Sequence, residues 1–286
     1  MMWKFSDKWG KNVQNSKTRK NIRNYIIIAI IIILMVCAAV LDFIKITYSS
    51  NPLHNRLIAR IIQQSCGALA GILILRQLNI QLFKKPQNCL YLIPCIIIAV
   101  DNFQFGAFFS GKMQLLYNKP IDFLLFFGYC MFIGLFEEIV FRGIIFSIIA
   151  GLFTKDRKGF LETYVVSSLV FGLAHLFNGF SAGTLLQVGY TILTGGLFAF
   201  CLIKTKNILC CALVHGLYNF CGLLFDAQQG LGNGVVFDVG TVITMTTVSV
   251  AIGIFVLYHV WKYSDAERKE LYFRLGIKEE GVDDNA

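Results

Sequence analysis

Long uncharged runs of apolar residues constrain this chain more than any other feature. Tyr25–Leu41 and Phe123–Phe136 contain no charged side chain. A helix needs about 20 mostly apolar residues to cross a bilayer, whereas the strands of a membrane barrel alternate apolar and polar residues. The run IIIAIIIILMVCAAV does not alternate, and only 15% of all residues are charged. We therefore predict an all-α polytopic membrane protein, with membrane lipid as its surroundings.

Apolar periodicity and run length predict about eight transmembrane helices, the first of which is too long for the apolar core of a signal peptide. The predicted spans are 25–45, 61–83, 89–110, 121–150, 161–178, 181–203, 207–225 and 236–261. Gln63, Gln64 and Arg76 interrupt the second one.

The net charge is +9, and the distribution of the basic residues along the chain follows the predicted topology. With the N-terminus inside, cytoplasmic segments hold 19 Lys and Arg and the opposite segments hold five, among them Arg56 and Arg60. Such a bias is typical of membrane proteins. We therefore predict that both termini are cytoplasmic, and we expect no nucleic acid as a partner.

Nine cysteines lie almost entirely within apolar runs. Their number is odd and no CxxC pair occurs, which argues against a disulfide framework. We expect free thiols that act as small apolar side chains.

The fourth span contains three ionisable residues, Glu137, Glu138 and Arg142. Each costs about 2.5–3.5 kcal/mol at the centre of a membrane helix. Glu138 and Arg142 are four residues apart and can pair on one helix face, but Glu137 is rotated by about 100° and lacks such a partner. Glu137 is therefore a candidate general base. The alternative is that all three residues only hold helices together.

Two of the four histidines, His175 and His215, lie well within predicted spans. His54 lies in a predicted loop, and His259 lies near the end of the last span. Phe171 precedes His175 by four residues, and Asn219 follows His215 by one turn. Counting about 1.5 Å per residue places Glu137, His175, His215 and Asn219 in the middle layer of the membrane. We expect them to converge on one polar site.

That set of side chains suits hydrolysis. Glu137 can take a proton from water beside His175, while His215 and Asn219 can donate hydrogen bonds to an oxyanion. Glu137, His175 and His215 could alternatively bind zinc and leave one position for water. No HExxH motif occurs, which argues against the common zinc-peptidase helix. The sequence places no serine or cysteine clearly beside these histidines, which argues against a nucleophilic triad.

Three motifs follow one another on successive spans: EExxxR at Glu137, Glu138 and Arg142, FxxxH at Phe171 and His175, and HxxxN at His215 and Asn219. With their flanking sequence they resemble the CPBP family over residues 130–222. This family comprises the CAAX prenyl endopeptidases and their bacterial relatives, the Abi or bacteriocin-processing intramembrane proteases.

The resemblance implies an eight-helix intramembrane endopeptidase that cleaves a membrane-associated peptide or protein. It implies that Glu137 is the base, with His175 beside it, and that His215 and Asn219 hold the oxyanion. Glu138, Arg142 and Phe171 would support the site. Residues 25–263 would form one protease domain between a basic cytoplasmic tail, 1–24, and a charged one, 264–286.

The family has been described both as metalloproteases and as metal-independent glutamic proteases. We expect no cofactor, because Asn219 is a good hydrogen-bond donor but a poor zinc ligand. Some members act in bacteriocin immunity or regulate membrane partners, so a non-catalytic role is the alternative. A proton-coupled transporter is less consistent with the sequence, since it shows no inverted repeat. Its Ile-, Lys- and Asn-rich composition favours a bacterial cell membrane, and it makes no prediction of oligomeric state.

Overall fold

The computed structural model describes residues 27, 29–36, 47, 49–111, 119–224 and 239–277. All regular secondary structure among these residues is helical, which confirms the all-α prediction. Five helices in this part of the chain are long and apolar enough to cross a membrane, and two shorter apolar helices accompany them. Residues 29–36, in the first predicted span, are helical. The predicted cytoplasmic tail 1–24 lies outside the described residues.

Ten helices after residue 50 carry labels below, and three short segments of different winding adjoin them. They are α1 (Pro52–Gln77), α2 (Leu92–Asp101), α3 (Phe105–Phe109), α4 (Pro120–Glu138), α5 (Phe146–Leu152), α6 (Arg157–Ala174), α7 (Ala182–Thr205), α8 (Ile208–Leu223), α9 (Val239–Trp261) and α10 (Asp265–Arg274). A π-helical segment, Ile139–Ile145, joins α4 to α5, and a 3-10 turn, His175–Asn178, follows α6.

Half of these helices begin at a side chain that caps their first free amide groups. Asn51, Asp156, Ser181, Asn207 and Ser264 each accept a hydrogen bond from a backbone N–H in the following turn. Such caps satisfy donors that have no partner within the helix. They fix where α1, α6, α7, α8 and α10 start.

The helix α4 forms the centre of the bundle and packs chiefly against α8 and α1, while α6 packs against α7. The α4–α8 contact is close because glycines face each other across it. A Cβ atom on Gly134 would lie 2.6 Å from the backbone nitrogen of Gly216, so only glycine fits there. The two backbones touch one turn before Glu138 and next to His215.

The second and third predicted spans need correction. The second helix begins at Pro52 instead of residue 61, so Arg56 and Arg60 lie inside α1 and not in a loop. The predicted span 89–110 is broken into a 3-10 turn, α2 and α3. Gln104 interrupts it, because its backbone adopts a left-handed conformation with φ of 57°.

The segment after α9 is more ordered than a charged surface tail. Ser264 and Glu267 form a capping box that starts α10. Leu271 and Tyr272 are buried in the main core, and Arg274 donates to the carbonyl oxygen of Lys206 at 3.2 Å. The charged residues of α10 thus bind the ends of other helices, while 278–286 lie outside the described residues.

The prediction of free thiols is confirmed for the eight cysteines in the described part of the chain. Cys37 lies outside it.

Candidate active site

The ion pair of Glu138 and Arg142 lies where α4 changes its winding. Glu138 is the last residue of α4, and Arg142 lies in the π-helical segment that follows. The Arg142 Nη1 and Glu138 Oε1 atoms are 3.2 Å apart, and both side chains are almost fully buried. The predicted i,i+4 ion pair is confirmed. The contact is an ion pair without a hydrogen bond from Arg142 Nη1, because Arg142 Nη1 and Glu138 Oε2 both lack a hydrogen-bond partner within the described residues.

His215 of α8 contacts this pair directly. Its Nδ1 atom lies 2.8 Å from Glu138 Oε1. Because Glu138 is paired with a guanidinium, we assign it as a carboxylate, which only accepts hydrogen bonds. Nδ1 of His215 is therefore the donor, and Nε2 faces the other way. This contact depends on the close approach of Gly134 and Gly216.

Glu137 faces the opposite side of the same imidazole. Its Oε2 lies 3.7 Å from His215 Nε2, which is ion-pair range but too long for a hydrogen bond. The Glu137 side chain is 27% exposed, whereas that of Glu138 is fully buried. The sequence prediction that the two glutamates face differently is thus confirmed: one is held by Arg142, and the other is accessible.

Aromatic rings enclose the Glu138–Arg142 pair and His215. The guanidinium of Arg142 lies 4.1 Å from the centre of the Phe171 ring, and its Nη2 donates to Gly195 O at 2.9 Å. The Phe198 ring stacks on His215 with centroids 4.5 Å apart. These contacts fix the orientation of Arg142 and His215, and Phe171 contacts both of them.

His175 and Asn219 lie at the edges of this cluster. The His175 Nδ1 atom hydrogen-bonds with Phe171 O at 3.0 Å, and its ring meets the edge of the Phe171 ring. Phe171 also contacts His215, with centroids 5.8 Å apart. Asn219 is half-buried, one turn beyond His215. Within the described residues, no ion pair joins His175 to Glu137 and no hydrogen bond holds the Asn219 amide.

The alternative zinc set does not form a preorganised site. In the part of the chain that the structure describes, no three His, Cys, Asp or Glu side chains are grouped closely enough to hold a metal ion. Glu138 takes the Nδ1 side of His215, and the Phe171 ring contacts both histidines. Glu137, His175 and His215 would have to move to share one ion.

Sequence reasoning missed two parts of this site. It gave Glu138 no contact other than Arg142, and it did not single out Phe198. The glycines at 134 and 216 were the available signal for the first, because small residues mark close helix contacts in membranes. No pattern in the sequence pointed to Phe198.

The fold and the site together define a polytopic helical membrane protein with a buried Glu–Arg–His cluster and a second, accessible glutamate. Residues 119–221 match the family model described as type II CAAX prenyl endopeptidase Rce1-like. This match covers the segment that carries the three motifs, and at family level it supports the resemblance to CAAX-type intramembrane proteases. No curated protein and no solved structure matches the chain.

Proposed function

We propose that this protein is a multi-pass endopeptidase of the cell membrane that cleaves membrane-associated peptides or proteins with water activated by Glu137. One observation carries the proposal: of the two adjacent glutamates, Glu138 is fully buried in an ion pair and Glu137 is accessible beside His215. Within the described residues Glu137 forms no ion pair with an arginine or lysine, and a carboxylate of this kind with access to substrate suits a general base.

The proposed reaction begins with Glu137 taking a proton from water as that water attacks the peptide carbonyl. The carbon–oxygen bond forms, and the carbonyl oxygen becomes an oxyanion. When the carbon–nitrogen bond breaks, the proton held by Glu137 passes to the leaving amine. Atoms and charges balance with water as the only co-reactant.

His215 and Asn219 are the proposed partners of the oxyanion. Nδ1 of His215 is committed to Glu138, so this ring can donate only from Nε2, and only when it carries both protons. The amide of Asn219 is a neutral donor on the same helix face, one turn away. His175, held at Nδ1 by Phe171 O, presents Nε2 as its remaining polar atom and would help to orient the water.

We further propose that this reaction needs no metal, because the scheme gives Asn219 a role that a zinc site would not. Activity of the purified protein in detergent should then survive prolonged treatment with a chelator. If zinc is stoichiometric in active protein, is lost together with activity and restores it on re-addition, the metal-free scheme is wrong.

Replacing Glu137 by Gln tests the function itself. The change keeps the size of the side chain and removes the base, so peptide cleavage in liposomes should fall by about 100-fold or more, with the melting temperature unchanged. Glu162→Gln is the matched control, since Glu162 is an exposed partner of Lys158 on α6. Full cleavage by the Glu137→Gln protein would refute the proposal. A Glu137→Gln allele that restores the complete phenotype of a deletion strain would instead favour a binding role, such as immunity or regulation.

A further inference from the structure

Two of the helices that are long and apolar enough to cross a membrane end against each other. Trp261 is the last residue of α9, and Arg157 is the first residue of α6. The guanidinium of Arg157 lies 4.1 Å from the centre of the Trp261 ring, and its Nη2 atom donates to the Trp261 carbonyl oxygen. Because both residues terminate apolar helices, we expect this contact at the level where acyl chains give way to lipid headgroups.

Both partners are open to the surroundings of the protein. Trp261 is 56% exposed, and Arg157 and Lys262, the residue that follows Trp261, are exposed as well. Tryptophan combines a large apolar ring with one N–H donor, and for this reason it is enriched at membrane–water interfaces. The ends of α6 and α9 thus present an apolar ring beside two positive charges.

The acidic residues close in sequence to this contact are already engaged. The Asp156 carboxylate caps α6, because it accepts a hydrogen bond from Gly159 N at 2.9 Å. Asp265, at the start of α10, pairs with Arg268. In the part of the chain that the structure describes, no carboxylate pairs with either of the two exposed cations at the tryptophan. Their charges are therefore available to an anion from outside the protein.

We propose that Arg157 and Lys262 bind the phosphate of an anionic phospholipid, while the Trp261 ring contacts the upper acyl chain of the same lipid. A guanidinium has five N–H donors in a planar fork, so Arg157 can keep its bond to Trp261 and still present a pair of N–H groups to a phosphate. A zwitterionic lipid carries its own cation beside the phosphate, so two fixed cations favour a headgroup with a net negative charge. This inference does not depend on the proposed function.

Trp261 reports on its own lipid contacts once it is the only tryptophan, and replacing Trp3 and Trp9 by Phe leaves it so. The protein is placed in vesicles of phosphatidylcholine with a minor fraction of phosphatidylglycerol. The same molar amount of one lipid or the other carries brominated acyl chains, which quench tryptophan fluorescence on contact. We expect brominated phosphatidylglycerol to quench as if it bound about fivefold or more tightly than brominated phosphatidylcholine, the gain expected from one lysine or arginine near anionic lipid.

Arg157→Gln and Lys262→Gln should each remove most of this preference, and added salt should weaken it. Lys158→Gln is the matched control. It removes the same charge from the same helix, but the Lys158 side chain is 82% exposed and lies 3.8 Å from Glu162. Each variant is first checked for an unchanged melting temperature. If Arg157→Gln lowers it through the lost hydrogen bond to Trp261, Lys262→Gln alone provides the comparison.

Equal quenching by the two lipids, or an unchanged preference in the Arg157 and Lys262 variants, would overturn the inference. An equal loss in Lys158→Gln would also overturn it, because it would indicate diffuse attraction in place of a site. Displacement of brominated phosphatidylglycerol by inorganic phosphate in the buffer would assign the site to free phosphate and exclude the lipid.

A second measurement covers the case in which the two Phe replacements prevent folding. In mixed micelles, phosphatidylglycerol should raise the melting temperature of the unaltered chain above its value with phosphatidylcholine, since a ligand that binds the folded state stabilises it. The Arg157 and Lys262 variants should lose this rise, and its persistence in both would refute the site. Peptide cleavage enters neither measurement, so a negative result leaves the proposed function unaffected.

Discussion

Two groups of charged residues in this protein contain buried cations and differ in how those charges are matched. Where α7 ends against α10, Lys204 faces Glu267 and Lys206 faces Glu270, with both Nζ atoms 3.4 Å from a carboxylate oxygen. Each lysine has its own acid, and Gln87 also accepts from Lys206 at 2.8 Å. In the candidate active site, two glutamates compete for one histidine, and only Glu138 has an arginine.

The difference separates a structural role from a chemical one. The α10 group joins elements distant in sequence and leaves no accessible acid deep in the bundle. The site keeps one acid accessible, and it holds the neighbouring histidine from the other side. Matched pairs suit assembly, and an unmatched acid beside a fixed histidine suits the proposed chemistry.

The largest expected effect comes from Glu138→Gln. This change leaves the buried Arg142 without its counter-ion and removes a charged acceptor from His215. Breaking one half of a buried pair costs about 3–5 kcal/mol, so both the melting temperature and cleavage should fall. The double variant Glu138→Gln with Arg142→Gln should recover stability but not activity. If Glu138→Gln lowers activity alone, the pair is not a structural support and the comparison fails.

A smaller loss of stability and of cleavage is expected from Gly134→Ala. Its methyl group would collide with the backbone of Gly216 and push α8 away from α4, at a cost of about 1–3 kcal/mol. Cleavage should fall because His215 moves away from both glutamates. Gly128→Ala on the same helix is the control, since its methyl would meet only Ile61 at an ordinary distance of 3.7 Å. Equal behaviour of the two variants would show that the glycine contact does not set the site.

The smallest effect is expected from Glu270→Gln, because this carboxylate is 41% exposed and Lys206 keeps Gln87 as a partner. Exposed ion pairs contribute about 0–1 kcal/mol. The melting temperature should fall slightly, and cleavage should not change. A loss of activity as large as that of the site variants would mean that the α10 group also takes part in the chemistry.

Acidification probes the same group of charges. Burial disfavours the charged form of Glu267, but hydrogen bonds from Ser264 and the charge of Lys204 outweigh it and hold the pKa of Glu267 below its ordinary value. Burial, opposed by Gln87, Lys206 and Arg274, has the same net result for the pKa of Glu270. The contributions of Glu267 and Glu270 to folding stability are therefore complete above about pH 4.3, the ordinary pKa of Glu. They are lost as the pH falls further. Amide hydrogen exchange across α10 should rise in that range, and less so in the Glu270→Gln protein.

Local patterns in the sequence predicted much of this structure. Helix geometry alone gave the Glu138–Arg142 pair and the separate orientation of Glu137. The start of α1 was also present in the sequence, because Asn51 followed by Pro52 is a typical helix beginning. Hydropathy concealed it, since Arg56 and Arg60 lower the average over the first turns. In the same way, Ser264 followed by Glu267 is a sequence pattern typical of the start of a helix, here α10, although the surrounding charges indicated a charged tail.

Contacts between distant helices could not be predicted in this way. Periodicity places His215 on a face of α8, but it does not say that this face meets Glu138 or that Phe198 covers the ring. Those facts depend on how closely α4, α7 and α8 approach each other, and the approach is set by packing of the whole bundle. The motifs named the residues of the site, and tertiary structure decided which of them touch.

The position of α10 has a consequence for the order in which the protein is assembled during synthesis. Gln87 hydrogen-bonds with Glu270 across 183 residues of chain, and Gln81 N donates to Arg274 O at 2.7 Å. These bonds join an early loop to the last described helix, so they can form only after the ribosome has made residues 270–274. The motif-bearing helices are therefore inserted before the final contacts that close the bundle. A chain that stops before residue 265 would leave the buried Lys204 and Lys206 without their acids.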